Sequence, residues 1–103
     1  MPVVVVFSTF PSADKAAEVA RTLVEERLVA CVNVVPGVRS IYRWEGKLCD
    51  DSEVLAVIKT TSERADALVA RLGQLHPYEL PEVLALPVSA GSAKYIDWVT
   101  SEV

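Results

Sequence analysis

The chain has 103 residues, 51% of them hydrophobic and 23% charged, which is one domain's worth of sequence with enough apolar content for a single core. A formal net charge of −4, with no Lys/Arg run or basic stripe, argues against a nucleic-acid or polyphosphate binder. No apolar run approaches the ~20 residues of a bilayer span, and "MPVVVVFSTF" lacks the basic start of a signal peptide. Cys31 and Cys49 stand far from any CxxC spacing, so a reduced, cytoplasmic chain forming one domain over residues 1–103 is the expectation.

The first element is "VVVVF", residues 3–7, a continuous β-branched and aromatic run of the kind that makes a strand buried on both faces. Pro11 and Ser12 then turn the chain, Ser12 serving as helix N-cap with Asp14 in the first turn, where the helix dipole favours an anion. Ala16, Ala20, Leu23, Val24 and Leu28 recur at helical spacing and predict an amphipathic helix of about four turns. "VACVNVVPGVRSIYRWEGK" reads as one long strand that Pro36-Gly37 bends without ending, because proline cannot donate to a ladder and glycine permits a bulge.

"EGK" supplies a hairpin turn into the return strand "SEVLAVIKTT". Ser62 is the expected cap of a second helix carrying Ala65, Leu68, Val69, Leu72 and Leu75 at a 3.6-residue period. "EVLALPVSA" is a fourth strand ended at or soon after Pro87, and "SAKYIDWV" a closing helix with Tyr95, Trp98 and Val99 on one side. The order β-α-β-β-α-β plus a terminal helix predicts an α+β, ferredoxin-like sandwich: four antiparallel strands with both long helices on one face.

Chemistry-bearing residues are few. "LHPYELPE", residues 75–82, holds the chain's single histidine, His76; no CxxC or HxxxH spacing accompanies it, so a structural zinc site within one chain is not expected. Cys31, between Ala30 and Val32, reads as a small buried hydrophobe, and Cys49, in "KLCDD", as the more exposed thiol, made a poor nucleophile by its acidic neighbours. Glu53, Glu79, Glu82 and Asp97 read as solvated charges at element ends. Lys59, followed by "TTS" at a strand-to-helix junction, can meet an anion there, although no phosphate-binding glycine motif accompanies it. With no nucleophile or orienting partner for His76 in view, an enzyme is not expected. In "SIYRWEGK", Tyr42 and Trp44 share one strand face opposite Ile41 and Arg43, an aromatic surface suited to burial against another subunit.

Taken together, "ACVNVVPGVRSIYRWEGK", "VIKTT", "HPYELPEVLALPV" and "YIDWV", in this order and spacing over essentially the whole chain, resemble the CutA family of divalent-cation tolerance proteins. The resemblance implies a ferredoxin-like fold and a homotrimer, with Tyr42 and Trp44 between subunits. It also implies a role in metal homeostasis, with Cu(II) or another divalent ion bound at an intersubunit cleft. The ion would be held by a thiol three residues before the proline after strand one and by two histidines ahead of Pro-Tyr. Here those positions are Ser8 and Leu75-His76, so His76 alone remains and weak binding is implied; Cys31 matches a further position that is commonly cysteine in the family and serves as a reserve ligand. The trimers also resemble PII signalling proteins, which makes a cleft sensor of an anionic effector, using Lys59, Tyr78 and Glu82, the rival reading.

Overall fold

The computed structural model describes residues 2–103. Its elements run β1 (Val3–Phe10), α1 (Ala13–Glu25), β2 (Cys31–Trp44), β3 (Lys47–Thr61), α2 (Ala65–Leu75), β4 (Leu84–Pro87) and α3 (Ala93–Glu102). The strands form one sheet in the order β2-β3-β1-β4 with every pairing antiparallel. This is the ferredoxin-like α+β arrangement expected from the chain order, with a helix added at the end.

Register explains which face is buried. Val4, Val6, Ser8 and Phe10 of β1 stand opposite Thr60, Ile58, Ala56 and Val54 of β3, and directly opposed residues share a face. That face carries the main core, closed by Ala16, Val19 and Leu23 of α1 and by Leu68 and Leu72 of α2. The alternate residues of β1, Val5 and Phe7, are only half-buried. The all-apolar opening run therefore does not make a strand buried on both faces of one chain; α3 covers the second face only near Val3, where Val99 packs with Val3 and Ala30.

Helix ends show where local chemistry governs and where it yields. Ser12 caps α1 as expected, its hydroxyl accepting the backbone N–H of Lys15 at 3.1 Å. The same helix stops before Leu28. Arg27 takes φ 57°, its N–H donates to Val24 O, and the Leu28 N–H donates back to Leu23 O; the two bonds together satisfy carbonyls that the helix leaves open. Ser62 does not cap α2. It sits in a turn whose N–H donates to Pro2 O, and Arg64, with no side-chain cap, occupies the cap position.

The β2–β3 hairpin gives the molecule its length. Pairing continues from Cys31↔Lys59 to Trp44↔Lys47, with a register break between Val35 and Val38. Gly37 there adopts φ 83°, so Pro36-Gly37 is a bulge within one strand, as read from the sequence. Glu45 and Gly46, at φ 49° and 78°, form a two-residue turn of the sense that matches strand twist. The projecting hairpin raises the radius of gyration to 14.1 Å, against roughly 13 Å for a compact chain of this length.

Candidate functional site

The segment after α2 leaves the helix layer, passes the end of β1 and faces the projecting hairpin. Its first residue, His76, is buried. The ring stacks on Phe10 with centroids 4.3 Å apart. Nδ1 accepts the Tyr78 backbone N–H at 3.0 Å, which leaves the proton on Nε2, and Nε2 donates to the Thr9 carbonyl at 2.8 Å. Burial pushes the imidazole pKa below its ordinary value of 6.5, against the pull of the Thr9 carbonyl and the Glu53 charge. Both nitrogens are thus engaged in holding the turn.

Tyr78 follows from this anchorage. Its hydroxyl donates to Glu53 Oε2 at 2.6 Å, and desolvation, reinforced by that carboxylate, pushes its pKa well up. Across the hairpin the Tyr42 hydroxyl donates to Asp51 Oδ2 at 2.5 Å, which raises the phenol to about 12. Tyr42 and Trp44 lie on one face of β2 and pair with Cys49 and Lys47. Alternation along β3 then puts Asp51 and Glu53 on that same face.

Between hairpin and segment lies a groove of about 820 Å³. Tyr42, Trp44, Tyr78 and Pro81 contribute its apolar walls, and Glu53, Glu79 and Glu82 its charge; among the described residues no Lys or Arg lines it. Of the residues expected at an effector cleft, Tyr78 and Glu82 come together here. Lys59 does not join them. It lies about 20 Å along β3 from Glu53, where its ammonium bonds the Asn33 side chain. Within one chain the groove is acidic and Lys59 does not line it, so one chain does not bring together the Lys59, Tyr78 and Glu82 set expected at an intersubunit effector cleft. Glu53 and Asp51 were missed as tyrosine partners, although the period of β3 already put them on one face with Tyr42.

The copper set that the resemblance implies does not fit these residues. Ser8 is fully buried on the core face with a hydroxyl that has no partner among the described residues. Leu75 is aliphatic, and the one acceptor lone pair of His76 is taken by Tyr78. Among the described residues no three His, Cys, Asp or Glu side chains converge to hold a metal ion. The cysteines also depart from expectation, since both are half-buried. Cys31 lies 3.4 Å from the Tyr95 hydroxyl, a contact that raises that phenol to about 12.

The family model described as "CutA1 divalent ion tolerance protein" matches residues 4–102. The chain belongs to the CutA1 family. It is 50% identical over 95 residues, 92% of each chain, to the Divalent-cation tolerance protein CutA of Thermus thermophilus. It is 43% identical over 99 residues to Protein CutA, chloroplastic, of Arabidopsis thaliana, covering 96% of this chain and 54% of that one; the chain thus spans about half the length of that plant relative. The crystal structure of CutA from Xylella fastidiosa superposes with a TM-score of 0.96 at 43% identity, over 99% of this chain and 98% of that one. Among the described residues no helix is long and apolar enough to cross a membrane.

Proposed function

We propose that copies of this chain assemble into a homotrimer that serves divalent-cation tolerance in the cytoplasm without catalysing a reaction, taking up a divalent ion such as Cu(II) weakly at the boundary between subunits. The observation that carries the assembly is the apolar surface one chain leaves bare. Ile41 is 64% exposed, Leu48 78% and Leu84 60%, with Tyr42, Trp44 and Leu86 also exposed. They occupy the projecting hairpin and β4, whose outer edge has no strand partner among the described residues. Long apolar edges of this kind are covered in soluble proteins, and the aromatic pair is suited to anchoring an interface. Three copies is the number implied by family membership.

Membership supports the metal role, and the His76 geometry supports its weakness. An ion can use Nδ1 only by displacing the Tyr78 N–H, so part of the ligation energy goes into undoing a turn. Light scattering at micromolar concentration tests the assembly: three times the chain mass is expected, and a monomer overturns it. Calorimetry with Cu(II) tests the site. Weak binding lost in His76→Ala is expected; equal heats in parent and variant remove His76 from the reading.

A further inference from the structure

The sheet face turned away from α1 and α2 carries charges of both signs without counter-charges. At the hairpin end Asp51 and Glu53 stand on it, with Glu79 and Glu82 across the groove. Tyr78 fixes Oε2 of Glu53 and leaves Oε1 without a partner among the described residues. At the body end stands Lys59. Register puts Cys31, Lys59, Val5 and Leu86 in one row across the four strands, and directly opposed residues share a face. The lysine is half-buried, and its ammonium bonds the neutral Asn33 side chain. Among the described residues the ion pairs are Lys15–Glu18, Arg39–Asp50 and Arg71–Glu26, and none of these engages Lys59, Glu53, Glu79 or Glu82.

One chain cannot pair Lys59 with Glu53, because about 20 Å of β3 separates them. A free chain leaves both to water, but the assembly proposed above does not. Its bare apolar surfaces are the hairpin and β4, which are unlike, and unlike surfaces that meet repeatedly can close into a ring. Leu86 of β4, 45% exposed, lies only two strand spacings, or about 10 Å, from Lys59 in the same row. A hairpin laid over Leu86 therefore covers Lys59 as well, and a lysine covered without a counter-charge is strongly destabilising. The groove on that hairpin supplies the carboxylates. We infer that the partner subunit's Lys59 enters the groove and bonds Glu53 through its free Oε1, so that each groove is completed by the next copy. The hairpin's own cations do not serve: Arg39 is held by Asp50 at 2.9 and 2.7 Å, Arg43 lies on the opposite face, and Lys47 sits at the tip beside the turn. This inference rests on the proposed trimer and names the contact that joins its subunits.

The test is zero-length carbodiimide coupling of the full chain in its native assembly, which joins a lysine amine to a carboxyl only where the two touch. Denaturing gels are expected to show two- and three-chain species. Mass spectrometry of their digest is expected to show a Lys59–Glu53 amide, which one chain cannot form across about 20 Å. Lys59→Arg keeps the charge and removes the amine, so the amide is expected to vanish while light scattering still gives the trimer. Stability supplies a second reading. Lys59→Met and Glu53→Gln are each expected to lower the midpoint of thermal unfolding at fixed chain concentration, and the double variant to fall no further than the worse single. Absence of the Lys59 amide, coupling of Lys47 or Lys94 to the groove's glutamates in its place, or strictly additive falls overturn the proposal. A trimer without the Lys59 amide refutes this inference alone, and a monomer refutes the assembly and this inference together.

Discussion

The Nδ1 atom of His76 accepts the backbone N–H of Tyr78, so the chain's one imidazole closes the turn that presents the groove's central tyrosine. A protonated ring cannot accept that bond. Because burial lowers the folded-state pKa below 6.5, the unfolded chain binds a proton more readily than the folded one, and stability rises with pH across that interval. The contribution is complete above about pH 6.5 and is lost as pH falls through the folded value. Urea denaturation at pH 7.5 and 5.5 is expected to show the loss in the parent and a smaller one in His76→Gln.

At neutral pH, His76→Ala is expected to cost about 2–4 kcal/mol, since it opens a cavity beside Phe10 and strands the Thr9 carbonyl and Tyr78 N–H. Tyr78→Phe keeps the packing and loses only the bond to Glu53, a cost of about 1 kcal/mol. Equilibrium unfolding of both variants checks the order.

Ser8 offers the opposite sign. Its hydroxyl is buried without a partner, and a polar atom in that state costs about 1–3 kcal/mol relative to a satisfied one. Ser8→Ala is expected to raise the midpoint of thermal unfolding by a few degrees, and a fall in that midpoint would show that the hydroxyl is satisfied after all. Ser8→Cys, nearly isosteric and less polar, should lie on the stabilised side as well.

The hairpin turn can be tested from both of its positions. Glu45 is a non-glycine residue at φ 49°, where asparagine is better tolerated, so Glu45→Asn is expected to stabilise by a few tenths of a kcal/mol. Gly46 sits at φ +78°, and a Cβ added there meets nothing within 4 Å; Gly46→Ala therefore costs only its backbone strain, about 1 kcal/mol. Chemical denaturation of the two variants checks both signs.

Much of the fold could be read from periodicity. Leu23 is buried where helical spacing puts it, whereas the buried Phe10 lies beyond the run read as the first strand, and Pro36-Gly37 announced a bulge because few other dipeptides fit one. The helix boundaries were less legible. Ser12 and Ser62 look alike as caps, yet Ser62 is drawn into a turn by Pro2, a partner from the far end of the chain. The site was least legible. His76 is fixed by a backbone carbonyl, a group that every residue presents, so no spacing identifies Thr9 as its partner. Within one chain, the length of β3 alone separates Lys59 from Glu53 by about 20 Å.

The bulge at Pro36-Gly37 acts on everything beyond it as a parity switch. Before it, odd-numbered residues of β2, Cys31, Asn33 and Val35, stand opposite Lys59, Val57 and Leu55; after it, even-numbered Val38, Ser40, Tyr42 and Trp44 stand on that same face, opposite Glu53, Asp51, Cys49 and Lys47. Were the same sequence to keep the register of Cys31↔Lys59 past Pro36-Gly37 with no bulge, Arg39, Ile41 and Arg43 would occupy those positions, and the groove's hairpin wall would carry guanidinium groups in place of aromatic rings. Deleting the one extra residue would leave both registers in place, Val35 opposite Leu55 and Val38 opposite Glu53, so the bulge changes which residue numbers face the groove and its loss by deletion would leave that surface as it is.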